Sequence, residues 1–331
     1  MPTFCRHNRF LERCPICSKT LPENSPARAQ PKRSRSEGTS GSTRTERRAG
    51  QSRRPERMRV ARESRSVDDG YRSELAPGLR ASSDAALLAQ EIGFACGRLQ
   101  ALHDEPPDFY AEIRAQSDLE QATWSSFLAV YLSPLQGDEP FRTIRQVLAD
   151  AGDWHSAKQI DLSQLQLGPR TSHEPPRGTQ TLEAYRRMAH NAGSQQSAFS
   201  GEPSWSPQRR FQRIFERLAL PGFGRSGRYE LLVTLGELGL YELRAEELYL
   251  ISAGRSDDDQ TALGAKRIFG IGDAANLERR VLGLAQEIGI AVGALDLALA
   301  NWATGERATL GFAPDTCDPD ALRSAEMALG L

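Results

Sequence analysis

Cys5, His7, Cys14 and Cys17 stand in FCRHNRFLERCPIC, a C-x-H-x6-C-x2-C arrangement within thirteen residues. Two thiolates on one tight Cys-Pro-Ile-Cys turn, with a third thiolate and an imidazole nearby, suit a tetrahedral zinc ion. A segment this short has too little apolar surface to fold unaided, so the metal would supply its folding energy in a closed, structural site. A second concentration of reactive types runs from Trp205 to Gly270. There LPGFGR places Gly222 and Gly224 in a tight turn, and SDDDQTALGAKRIFG sets an acidic run three turns ahead of Lys266 and Arg267. Turn amides and a helix N-terminus together offer donors to a phosphate.

These groups need elements to hold them. Ser206 is a good N-cap, Pro207 fits the first helical turn, and Phe211, Ile214, Phe215 and Leu218 recur on one face, so a helix is expected to end at Pro221. A second apolar helix covers Tyr229 to Leu238, giving the helix, Leu-Pro-Gly-x-Gly hairpin, helix order of a helix-hairpin-helix element. Earlier, Leu88, Ile92, Ala95, Leu99 and Leu102 follow helical spacing behind Ser-Ser-Asp, and Trp124, Phe127, Leu128 and Tyr131 form an apolar face ending at Pro134. Phe141, Ile144 and Leu148 mark another helix, residues 152–178 read as loop, and TLEAYRRMAHNAGSQQSAFSG carries a short helix into a polar loop. Leu277, Val281, Leu284 and Ile288, then Leu295 to Trp302, complete an all-α core with no alternating strand. Cys96 and Cys317 read as bystanders, and His155 and His190 as surface residues.

Charge divides the chain. Residues 1–66 hold 17 Lys or Arg against 6 Asp or Glu, and the remainder holds 25 against 37, so a net charge of −1 conceals a basic arm and an acidic body. The arm from about Pro26 to Ser66 is Arg, Ser, Gly, Pro and Glu with almost no aliphatic residue, a composition that predicts disorder and salt-dependent contact with phosphates. The expected division is a zinc knuckle over 1–22, a basic linker over 23–80 and a helical domain over 81–331. No run of 18 apolar residues and no signal-type N-terminus is present, which predicts a cytoplasmic protein without a membrane partner.

The segment SDDDQTALGAKRIFG resembles the part of helix-hairpin-helix DNA glycosylases in which an Asp begins a helix carrying an Arg and a Gly about three turns on. Alignment on Arg267 selects Asp258, and alignment on Gly270 selects Asp259. Together with FCRHNRFLERCPIC, EQATWSSFLAVYLSP, NAGSQQSAF and WSPQRRFQRIFERLALPGFGRSGRYELL, the chain resembles the alpha-glutamyl/putrescinyl thymine pyrophosphorylase family, in particular a bacterial branch with an N-terminal cysteine cluster. The resemblance implies a DNA-glycosylase-like helical fold and hypermodification of a DNA base. An amine from putrescine or a glutamate-like donor would displace pyrophosphate from a 5-hydroxymethyl pyrimidine, with magnesium accompanying the pyrophosphate.

That chemistry requires a base to keep the amine neutral, cations for the leaving group and a target base out of the stack. Asp258 or Asp259 is the candidate base or amine-binding carboxylate. Arg225, Arg228, Lys266 and Arg267 are the candidate anion ligands, and Gly222 and Gly224 the DNA-contacting hairpin. Glu120, Gln121 and Gln195 would read a flipped pyrimidine, with Trp124 or Trp205 stacking on it. The other readings are a base-excision glycosylase and a non-catalytic nucleic-acid-binding adaptor. The missing hairpin Lys argues against a lyase form of the former, and the acidic body argues against an enzyme acting on DNA, since a duplex-binding surface is usually basic.

Overall fold

The structure is a computed structural model describing residues 66–151, 154, 160, 162–253, 259–270 and 272–331. The expected zinc ligands Cys5, His7, Cys14 and Cys17, the linker up to residue 65, His155 and Asp258 lie outside the described residues.

Twelve α-helices and one short 3-10 turn, and no strand, occur among the described residues. The first half contains α2 (Asp108–Ala115), α3 (Leu119–Leu132), α4 (Arg142–Ala151), α5 (Gly178–Asn191), α6 (Gln195–Ser200), α7 (Pro207–Arg217) and α8 (Arg225–Glu237). Its central member is α3, whose residues from Ala122 to Leu132 are all buried. A helix apolar on every side must be surrounded, and α3 packs on α8, α6, α2 and α4. The second half contains α9 (Gln260–Phe269), α10 (Ala274–Ile288), α11 (Val292–Thr304) and α12 (Pro319–Leu329), joined by the N-terminal α1 (Ser82–Asp104). Here α11 is the surrounded helix, lying along α9 and α1.

Local sequence explains the boundaries. Asp118, Ser194, Ser206, Asp259, Asp273 and Asp318 each accept a first-turn amide with the side chain, and Pro207 and Pro319 occupy the opening positions of α7 and α12. The stop at Pro134 and the turn at 218–224 fall where the sequence places them. Three helices escape the pattern. α2 and α6 are too short for periodicity to show, and α12 is hidden in an Asp-rich tail, although Ala321, Ala325 and Leu329 bury one face against α1. From Ser66 onward the segment assigned to the linker is held by the fold. Ser66 donates to Asp84, the Gly78 amide to the Ile268 carbonyl at 2.7 Å, and the Tyr71 hydroxyl to the Leu329 carbonyl.

Candidate functional site

The two halves meet at a buried charge network, with the cations from one half and the carboxylates from the other. Arg225 opens α8, and its side chain is fully buried. Its Nε and Nη2 donate to the two oxygens of Asp259 at 2.7 and 3.2 Å, and Nη2 also reaches Asp296 Oδ1 at 2.6 Å. Nη1 donates to the Leu248 carbonyl at 2.9 Å. Arg170 donates to the other oxygen of Asp296 at 2.7 Å, and the Thr261 hydroxyl donates to Oδ1 at 3.0 Å. Two guanidinium groups and two carboxylates thus cancel in a dry setting, where any one of them alone would be strongly disfavoured.

The electrostatics follow from that arrangement. Burial would push the Asp296 carboxyl up, but the charges of Arg225 and Arg170 overcome it and hold the group below the ordinary carboxylate range. Burial opposes charge on Arg225 as well, and Asp296 and Asp259 reverse the effect, so that its guanidinium is raised above its usual value. Asp259 also serves its own helix and the start of α8. Its Oδ1 accepts the Ala262 amide at 3.0 Å, capping α9, and Oδ2 accepts the Ser226 hydroxyl at 3.0 Å. Both carboxylate oxygens therefore accept two hydrogen bonds.

Ser226 and Arg170 are the half-buried members, and both line a small cavity with Ser133, Glu230, Tyr110 and Leu310. Its volume is about 10 Å³, the space of one water. The Ser133 hydroxyl is buried there without a partner, on a residue held at φ +60°. A close approach brings Arg170 into place: a Cβ on Gly227 would lie 2.1 Å from the Ser172 hydroxyl oxygen, so only glycine lets the 168–173 segment lie on the first turn of α8.

The remaining candidates fall elsewhere. Arg225, expected as an anion ligand, turns its donors inward to Asp259, Asp296 and Leu248. Arg228 braces the hairpin from inside, donating to the Gly224 and Phe215 carbonyls at 3.3 Å with its guanidinium 4.3 Å from the Phe215 ring centroid. Burial, reinforced by the charge of Arg225, lowers it below the usual arginine value. Lys266 and Arg267 lie in the last turn of α9, about 10 Å along the helix from Asp259. Arg267 donates there to the Ala303 carbonyl at 3.2 Å.

Glu120 and Gln195 do come together, but they bond to one another. The Glu120 carboxylate accepts the amides of Gln195 and Gln196 at 3.0 and 2.7 Å, fixing the start of α6. Gln195 donates from Nε2 to the Glu120 carbonyl and accepts the Tyr185 hydroxyl. Gln121 is half-buried beside them. Trp124 is fully enclosed among Phe127 and Tyr185, whereas Trp205 is half-buried with Arg217 over its ring. In the hairpin, Gly222 has φ +73° and a Cβ there would meet the Thr181 hydroxyl at 2.4 Å. Gly224 faces open space. His190 is exposed, and burial pushes the Cys96 thiol up to about 12, in keeping with an inert residue.

Asp296, Arg170, Ser226 and Thr261 are not singled out by the sequence motifs. One signal does point to Asp296: it is the sole charged residue in the apolar stretch from Val292 to Thr304, where an unpaired carboxylate could not be buried.

The fold and its seam define an all-helical protein whose two halves are locked by a buried Arg–Asp network. Residues 170–309 match the family described as alpha-glutamyl/putrescinyl thymine pyrophosphorylase clade 3. Every member of the network lies within the matched segment. The family's name connects it with thymine hypermodification by a pyrophosphorylase-type enzyme. No curated protein and no solved structure matches the chain.

Proposed function

We propose that this protein modifies a pyrimidine in DNA by transferring an amine, of the putrescine or glutamate type, onto a pyrophosphorylated 5-hydroxymethyl group. The amine lone pair forms a C–N bond to the exocyclic methylene as the C–O bond breaks, and its electrons leave with pyrophosphate. The observation that carries this reading is the Ser226 hydroxyl, which lines the cavity while donating to Asp259. The amine proton passes to Ser226 Oγ as the serine proton passes to Asp259 Oδ2, so the buried carboxylate serves as base through the half-buried hydroxyl. Arg170, on the same cavity, stabilises the departing pyrophosphate oxygens. Magnesium bound with the pyrophosphate would share that charge. Entry of the base requires the wall of Ser133, Pro134 and Leu310 to move outward, because the space against Ser226 is that of one water.

DNA is held at the hairpin of residues 218–224, read as a helix-hairpin-helix element, where Gly224 leaves the start of α8 open to a phosphate. Cys5, His7, Cys14 and Cys17 hold a structural zinc ion. The test is incubation with duplex DNA carrying pyrophosphorylated 5-hydroxymethyluracil, putrescine or glutamate, and magnesium, followed by nucleoside mass spectrometry. An amine-adducted thymidine absent with Ser226→Ala supports the proposal. Release of free base would replace it with a glycosylase, and unchanged nucleosides with intact DNA binding would leave an adaptor.

A further inference from the structure

A stripe repeats every fourth residue from just before α7 along its outer face: Trp205, then Arg209, Arg213 and Arg217. The three arginines are exposed, at steps of about 6 Å along the helix. With Glu202, Trp205 and Glu216 they line an open cleft of about 540 Å³. The guanidinium of Arg217 lies 5.3 Å from the centre of the Trp205 ring, and Arg213 pairs with Glu216 at 3.2 Å. Such a run of cations is unusual in this body, which carries 25 Lys or Arg against 37 Asp or Glu beyond residue 66. It also leads straight into the 218–224 turn, where Arg177 lies against Gly222 on the other side.

Two bland explanations do not cover the stripe. A solvated helix face would mix signs, as the Arg213–Glu216 pair does, but Arg209 and Arg217 have no carboxylate among their described bonds. Charge added only for solubility would not place a large half-buried indole at the head of the row. From the repeat, the cleft and the ring we infer that this face binds one strand of nucleic acid, with phosphates along Arg209, Arg213 and Arg217 and a base against Trp205. A cationic groove with an aromatic side chain is the arrangement that takes an unpaired strand without regard to sequence. The strand would run from the hairpin along α7, and the inference stands whether or not the transfer reaction does.

The test reads binding alone, on the full chain. Trp124, Trp154 and Trp302 are buried, so Trp205 is the tryptophan a strand can reach. Oligothymidylate should quench the fluorescence of the wild type, and Trp205→Phe should remove that quench. In titrations over a range of salt, Arg209→Gln with Arg213→Gln should lower the slope of log K against log salt by about 1.4, two phosphate contacts at about 0.7 each. Arg209→Gln alone, at a side chain that braces nothing, should lower it by about 0.7. The arginines of the N-terminal arm are common to all these proteins and cancel in the difference. Unchanged slopes, a quench that survives Trp205→Phe, or equal competition by polyglutamate would overturn the inference, the last in favour of an acidic protein partner.

Discussion

Replacing Asp296 by Asn keeps the shape of the seam and removes one of its four charges. Arg225 and Arg170 would then share Asp259 alone, which only Arg225 reaches. Removing one partner from a buried ion pair costs about 3–5 kcal/mol, because the remaining charge is left in a dry site. At about 2–4 °C per kcal/mol for a domain of this size, the melting temperature should fall by roughly 10 °C. Adding Arg170→Gln restores neutrality, so the double variant should be less destabilised than the sum of the single effects by more than about 1 kcal/mol.

Acid provides an independent reading. The folded-state pKa of Asp296 lies below its ordinary 3.8, so its contribution is present above that value and is lost as the pH falls towards the lower folded value. Urea unfolding from pH 7 down to 2 should therefore show a loss of wild-type stability below about pH 4. That loss should be shallower in Asp296→Asn. A melting temperature within about 1–2 °C of wild type, or strictly additive effects with Arg170→Gln, would refute the view that charge pairing holds the two halves together.

Glu278 on α10 accepts the amides of Leu248 and Leu250, the stretch whose carbonyl holds Arg225. Glu278→Ala should destabilise by about 2–4 kcal/mol for two orphaned amides, with faster hydrogen exchange at Leu248 and Leu250 as the check. Gly222→Ala faces both a left-handed backbone and the Thr181 hydroxyl, and should cost about 1–3 kcal/mol in chemical denaturation. Gly224→Ala should leave stability nearly unchanged while weakening DNA binding in an anisotropy titration, and equal affinity would remove the hairpin from the DNA surface. Metal analysis of the purified full chain should find one zinc per molecule, lost in Cys14→Ser with Cys17→Ser; a metal-free wild type would dismiss the site.

The helical class, the turn between α7 and α8 and the start of α9 are legible in the sequence because each is a local matter: a cap, a Pro, a Gly, a run of apolar residues. Asp259 is visible for the same reason, as one of two acids at a helix start. Its setting is not, since Arg225 reaches it across 34 positions, and the network closes through Asp296, 71 positions from Arg225, and Arg170, 126 positions from Asp296. Glu120 and Gln195 illustrate the opposite case. Their polar types and loop setting suggest base reading, yet over a separation of 75 residues each satisfies the other. Sequence shows which groups are unusual and leaves open whether another residue or a substrate answers them.

The hydrogen bond from Tyr71 to the carbonyl of Leu329 joins the beginning of the described body to its last helix, and α1 and α12 lie side by side behind it. Topologically the helical body is a ring with a small gap. A gene rearranged so that Leu331 runs through a short linker into Val67, with new ends opened at the exposed residues before α6, should still encode the same packing.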